Sequence, residues 1–379
     1  MMNVTSTLAE IDQQLITLLS QRIQLLAASD RPQVLGEFVP DPEQLDQAGI
    51  PPSVWTTLMT GCLAAALRHR QPVATASQSR RITLLGGGGM MGKFFKARFE
   101  AAGHHVTVFE ATDWSRAEAL VADADLVLLC VPLKATVAIV EQLAPYLSPH
   151  TLLADIASVK GPVCQAMLKA HAGPVVGLHP MFGPGATALL GQKIILCPGR
   201  GERTYQWLLD WFKAEGVHLI TCSPEEHDRM MVMIQAIRHF STFCLGVFLA
   251  EEGIHIDRSL EFSTLIYRIE AAMIGRLFAQ DSELYIEIML ASADRLAAIQ
   301  RLAQTYQRLA DFVNQNDRSA LTAAFANARH AFHPETGWAM KESNYLIQNL
   351  SHFLAANLAE QANCSPGNDL EPRFGDNSG

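Results

Sequence analysis

Hydrophobic positions along the first seventy residues follow a helical period. Between Leu8 and Leu26 the apolar residues are Leu8, Ile11, Leu15, Leu18, Leu19, Ile23 and Leu26, the spacing of an amphipathic helix. Ser6 or Thr7 is placed to cap it, and Asp30-Arg31-Pro32 to end it. A passage carrying Pro40, Pro42, Pro51 and Pro52 follows, and a second helical run covers Ser53 to His69. Two or three helices in residues 1–70 make a small unit that is marginal alone. Gln71 to Ser79 is small and polar and reads as a linker.

Beyond the linker, short apolar runs alternate with helical ones. The expected strands are Arg81–Leu85, His105–Glu110, Asp125–Val131, Leu152–Asp155, Val175–Leu178, Lys193–Cys197 and Val217–Thr221, with a helix over about Met90 to Ala102 after the first. Strands alternating with helices predict an α/β domain over residues 80–223, a parallel sheet covered on both faces. After Ser223-Pro224 the strand signals stop, and helical periodicity predicts an all-α domain of four or five helices over 224–360. The polar, glycine-containing residues 361–379 read as a disordered tail.

Composition narrows the function classes. The chain has 379 residues, 49% hydrophobic and 18% charged, which excludes a disordered or fibrous protein. With 29 basic against 38 acidic residues the formal charge is −9, arguing against non-specific nucleic-acid binding. The seven cysteines include no C-x-x-C pair, against a short-spaced metal site or a disulfide scaffold. The longest aliphatic run, Leu126 to Leu133, is far short of the ~20 residues of a membrane span, and Met1 to Ser6 lacks the features of a signal peptide. The expectation is a cytoplasmic protein with no membrane or nucleic-acid partner.

The run Leu84-Leu85-Gly86-Gly87-Gly88-Gly89-Met90-Met91-Gly92 contains G-x-G-x-x-G as Gly87, Gly89 and Gly92. Glycines there serve a tight turn, close approach of backbone to a pyrophosphate, and helix–strand packing, while the helix beginning at Met90 and Met91 turns free N–H groups toward the phosphates. Glu110, at the end of the next strand, can hydrogen-bond the ribose hydroxyls of NAD and would repel the extra phosphate of NADP.

Two segments that follow strands hold candidate chemistry, Asp155-Ile156-Ala157-Ser158-Val159-Lys160 and Gly177-Leu178-His179-Pro180-Met181-Phe182-Gly183-Pro184. Ligands of open parallel sheets bind at the carboxyl ends of the strands. A neutral His179 there can accept a proton from an alcohol as hydride leaves the carbon, and Ser158 is a candidate to orient it.

The string GLHPMFGP, with ASVK before it and QAIRHF and IYRIEAAMIGRLFAQD after it, resembles the prephenate dehydrogenase family from about Arg80 to Leu350. The resemblance is closest to the bacterial fusions of chorismate mutase with that dehydrogenase. It implies a Rossmann-like domain followed by a helical dimerisation domain, and conversion of prephenate and NAD to 4-hydroxyphenylpyruvate, carbon dioxide and NADH in tyrosine biosynthesis. Arogenate as substrate stays open. By resemblance His179 is the partner of the ring hydroxyl and Ser158 supports it. Lys160 and His239 lie near the substrate, and Arg276 holds the ring carboxylate with Arg268 in support. A homodimer and feedback inhibition by tyrosine are further expectations of the family.

Two departures stand out. Where relatives often carry an acid after the histidine motif, this chain has Gly185-Ala186-Thr187. Residues 6–70 occupy the place of the mutase domain, and Arg22 and Glu43 match two of its polar positions. Thr5, Gln33 and Pro42 stand where cations belong. Losing buried cations from a site for a dianion costs ~2–5 kcal/mol each, so the segment reads as a degenerate mutase; retained mutase activity is the alternative.

Overall fold

The computed structural model describes residues 4–29, 42–70 and 78–364. Seven strands form one sheet, β1 (Arg81–Leu85), β2 (His105–Phe109), β3 (Leu126–Leu129), β4 (Leu152–Asp155), β5 (Val175–Pro180), β6 (Lys193–Arg200) and β7 (His218–Thr221). Their spatial order is β2-β1-β3-β4-β5-β6-β7. The chain runs outward from β1 to β2 and then back across β1 to β3, so a crevice opens beyond the carboxyl ends of β1 and β3.

Alternate residues of each central strand enter different cores. Ile82, Leu84, Leu126, Leu128, Leu152, Ala154, Val176 and Leu178 pack on one face with Phe95, Phe99 and Phe212. Leu85, Val127, Leu129, Leu153 and Val175 pack on the other with Phe109, Val140 and Met167. Burial of both faces explains why these strands read as unbroken apolar runs. The covering helices are α4 (Met90–Ala101), α5 (Ala117–Val121), α6 (Leu133–Leu143), α7 (Gly161–Ala170) and α8 (Glu202–Ala214).

The sheet departs from the expected parallel arrangement at one place, since β6 runs antiparallel to β5. That partner lengthens β5 beyond the expected Leu178: His179 pairs with Ile195 and Pro180 with Ile194. His179 therefore lies inside a strand.

After β7 the structure is helical, with α9 (Pro224–Met231), a π-helical segment (Val232–Ile237), α10 (Arg238–Glu251), α11 (Ile256–Glu261), α12 (Leu265–Phe278), α13 (Ser282–Leu290), α14 (Ala293–Asn314), α15 (Arg318–Phe332) and α16 (Thr336–Cys364). Eight α-helices replace the expected four or five. Side-chain caps at Ser223, Thr264, Asp281, Ser292 and Asp317 start new helices inside stretches that read as continuous periodicity. Residues 361–364, read as part of a tail, belong to α16, and 365–379 lie outside the described residues. Pro224–Glu251 is long and apolar enough to cross a membrane by length and composition, which the aliphatic-run criterion overlooked. Large apolar side chains stay exposed on this region, among them Phe248, Phe262, Ile266, Met273 and Phe278.

In the N-terminal segment α1 (Val4–Ala28) and α3 (Pro52–Arg70) pack through Leu26, Cys62 and Ala66, with the short α2 (Pro42–Gln47) between them in sequence. Ser6 and Thr7 lie inside α1 and do not cap it. The expected stop at Asp30-Arg31-Pro32, and Gln33, lie outside the described residues. The pair is anchored on α16, where Ser53 Oγ meets His352 Nε2 at 3.0 Å and Thr57 Oγ1 donates to Asn349 Oδ1 at 3.1 Å.

Candidate active site

The glycine turn closes tightly on itself. Gly86 has φ +80°, and a Cβ there would stand 2.5 Å from the Cys130 carbonyl oxygen. A Cβ on Gly92 would stand 2.4 Å from the Gly86 oxygen, and one on Gly89 3.3 Å from it. One on Gly87 would press on Val108 at 2.9 Å. Gly86 thus joins the expected Gly87, Gly89 and Gly92; its only sequence signal is the run of four glycines. Met90, exposed, and Met91 open α4 at this turn. Glu110 reaches back over the turn and accepts a hydrogen bond from Gly88 N at 2.5 Å. Carboxylate and turn are brought together, and the cradle of backbone that a side chain would fill suits the phosphates of a dinucleotide.

At the end of β5 His179 is buried and its two ring nitrogens are both engaged. Nδ1 lies 2.8 Å from His227 Nε2, and Nε2 lies 3.2 Å from Gln235 Nε2. His227, itself fully buried, places Nδ1 2.7 Å from Asp228 Oδ1. The Asp228 carboxylate also accepts from the backbone N–H groups of Lys160 and Gly161, both at 2.8 Å, at the head of α7. Burial alone would raise the Asp228 pKa, but the His227 bond and the two amides outweigh it and hold the carboxyl below its usual range. Burial, reinforced by Lys160, His227 and Arg295, keeps the His179 pKa well below 6.5, so the ring is neutral.

Ser158, expected to orient His179, is half-buried, and among the described residues its hydroxyl has no hydrogen bond to the histidine. The group standing against His179 Nδ1 is instead His227. Its sequence signal was the adjacent His-Asp pair just after Ser223-Pro224. Lys160, expected near the substrate, is fully buried: its ammonium pairs with Asp155 and donates to Leu178 O at 2.6 Å. It holds β4 and β5 together beneath the site.

His239 packs edge-on against Tyr285 at 4.8 Å between ring centroids. Burial, with Arg238 and Arg295, depresses its pKa to about 4. Among the described residues its Nδ1 and the Oε1 of Gln235, four residues earlier, are buried without a partner, the state of polar groups that a ligand satisfies. Arg295 was not found by sequence reasoning, because it stands in an ordinary helix start. It is 1% exposed and donates to Ile288 O at 2.6 Å and Ser158 O at 3.2 Å, with no carboxylate in salt-bridge reach among the described residues. Both expected arginines lie on α12. Arg276 is exposed with its Nη2 3.4 Å from the Cβ position of Gly185, and Arg268 is half-buried; neither is in a salt bridge among the described residues.

Residues 98–221 match the family described as prephenate dehydrogenase, nucleotide-binding domain, and residues 223–327 the one described as prephenate dehydrogenase, dimerization domain. The T-protein of Enterobacter agglomerans is 35% identical over 354 residues, covering 89% of this chain and 95% of that one. The chain belongs to the prephenate dehydrogenase family. The T-protein of Haemophilus influenzae, 40% identical, covers 72% of each chain. Among solved structures, prephenate dehydrogenase from A. aeolicus in complex with hydroxyphenyl propionate and NAD+ superposes with a TM-score of 0.52 at 17% identity, covering 68% of this chain and 99% of that one, a likeness of fold.

Proposed function

We propose that the protein is an NAD-dependent prephenate dehydrogenase of tyrosine biosynthesis, with His179 as the base facing the ring hydroxyl. The observation that supports this most is the neutral, buried imidazole at the carboxyl end of β5, in a family member whose glycine turn suits a dinucleotide. NAD, when bound, supplies the hydride acceptor. Gly86, Gly87, Gly89 and Gly92 would seat its phosphates, and Glu110 would hold its ribose hydroxyls. His179 Nε2 takes the proton of the C4 hydroxyl as hydride leaves C4. The ring carboxylate then departs as carbon dioxide, and the borrowed proton returns to what is now a phenol oxygen. Aromatisation supplies the driving force, so the protein's task is orientation.

Arg276 anchors the ring carboxylate, with Arg268 behind it; eight residues apart on a helix is ~80° of rotation, so both can address one ligand. His239 and the Gln235 oxygen offer further polar contacts. Ser158 lies beside the reacting groups, and Lys160 supports the floor. The exposed apolar side chains of the helical region support a homodimer, and the bacterial relatives a cytoplasmic enzyme. In the N-terminal pair Arg22 keeps a buried Nε without a partner among the described residues, and the cations missing at Thr5, Gln33 and Pro42 support absence of mutase activity.

Purified protein is assayed with prephenate and arogenate, each with NAD and NADP, with and without tyrosine, and separately with chorismate. The expected result is prephenate oxidation with NAD preferred and no chorismate turnover. A tenfold preference for NADP, about 1.4 kcal/mol, overturns the role of Glu110. Chorismate conversion at ~10 per second overturns the degenerate-mutase reading.

A further inference from the structure

The arrangement behind His179 fixes where its proton resides. Asp228 faces three donors, the His227 ring and the amides of Lys160 and Gly161. An ionised carboxylate only accepts, so His227 Nδ1 carries the proton of that bond. In a neutral His227 ring Nε2 is then an acceptor, and the 2.8 Å contact requires the proton of His179 to sit on Nδ1. Neutral His179 is left with its lone pair on Nε2. The Gln235 amide stands 3.2 Å from Nε2, on the side from which a substrate hydroxyl would approach.

One helix delivers both neighbours of the ring. His227 lies in α9 and Gln235 in the π segment. Eight residues at α-helical pitch overshoot two turns by ~80°. The wider π turns absorb the extra residue and bring both side chains to the same imidazole, a common use of π-helical turns at functional sites.

We propose that His227 and Asp228 are positioning residues of the dehydrogenase, holding the His179 proton on Nδ1 so that Nε2 receives the hydroxyl proton of the substrate. The inference rests on the prephenate dehydrogenase reading given above. As the hydroxyl proton moves to Nε2, the imidazolium keeps its Nδ1 proton in the bond to His227, and the negative charge of Asp228 stabilises it. When the phenol forms, Nε2 returns its proton to oxygen and the original tautomer is restored. No proton is gained or lost by the relay.

Two substitutions separate positioning from packing. His227→Gln places an amide oxygen near the former Nε2 and can still accept from His179 Nδ1. His227→Asn keeps a group for Asp228 but withdraws the acceptor from His179. The expected result is a fall in kcat of roughly 10- to 1,000-fold for H227N, with kcat restored to within about fivefold of the parent in H227Q and KM for NAD unchanged in both. Equal turnover in H227N and the parent overturns the proposal, as does equal loss in both variants with normal folding. Nitrogen-15 NMR of the unmodified protein without substrate gives a second test: the proton on Nδ1 of His179 is expected, and a proton on Nε2 overturns the relay whether or not the variants fold. An unmodified protein with the expected tautomer but no prephenate oxidation would overturn the functional reading instead.

Discussion

Arg276 is an exposed guanidinium facing a residue with no side chain. Gly185 lies against it, and among the described residues no carboxylate competes for its charge. Its planar fork can hold both oxygens of a substrate carboxylate. Arg276→Gln is expected to lower kcat/KM roughly 30- to 5,000-fold, a loss of ~2–5 kcal/mol that falls mainly on KM. The melting temperature should stay unchanged, since no buried contact is lost. Gly185→Asp should raise KM as well, by giving Arg276 an internal partner; steady-state kinetics on both variants decide the matter. His179 and Arg276 were legible in the sequence because each lies in a contiguous string at a predictable place. His227, Gln235 and Arg295 were not, because their contacts join positions 48, 56 and 137 residues apart and no local pattern records such a meeting. For Lys160 the motif was legible because it is local, whereas its pairing with Asp155 was not, because that contact is tertiary.

Among the elements, β1, the glycine turn and α4 form the unit read most fully from sequence. An apolar run, a glycine cluster and a helical period each leave a separate trace there. The close packing of Gly92 on Gly86 leads to a prediction. Adding a methyl group at Gly92 forces the start of α4 away from the turn, since the neighbours at 2.4 and 2.6 Å are backbone atoms that cannot rotate aside. Gly92→Ala is expected to destabilise the fold by ~1–3 kcal/mol and to raise KM for NAD while leaving KM for prephenate near normal. Denaturant titration and separate saturation curves for the two substrates check this, and an unchanged KM for NAD would remove the turn from cofactor binding. The direction of β6 and the π segment were illegible. A strand's apolar run is the same in either direction, and a π turn differs from an α turn by one residue in a pattern already blurred by apolar positions on every side.

Across the whole molecule, the sheet region and the helical region meet along a seam with several ties, two of which hold the loop before α7. Asp228 from α9 takes the amides of Lys160 and Gly161, and Arg295 from α14 takes the carbonyl of Ser158, two residues before. Amides at the head of a helix usually exchange with solvent within the fraying limit of the element. Here they are expected to exchange slowly, at rates like those of the central strands, and hydrogen–deuterium exchange followed by peptide mapping measures it. Rapid exchange at 160–161 would mean that the seam opens. A seam bound in this way does not work as a hinge. Ligand entry and product exit are then expected at the stretch 183–188, which lies between His179 and the buried Leu189 in the connection from β5 to β6. Viscosity and temperature would then act on turnover through the movement of a few residues, and not through the swing of half a protein.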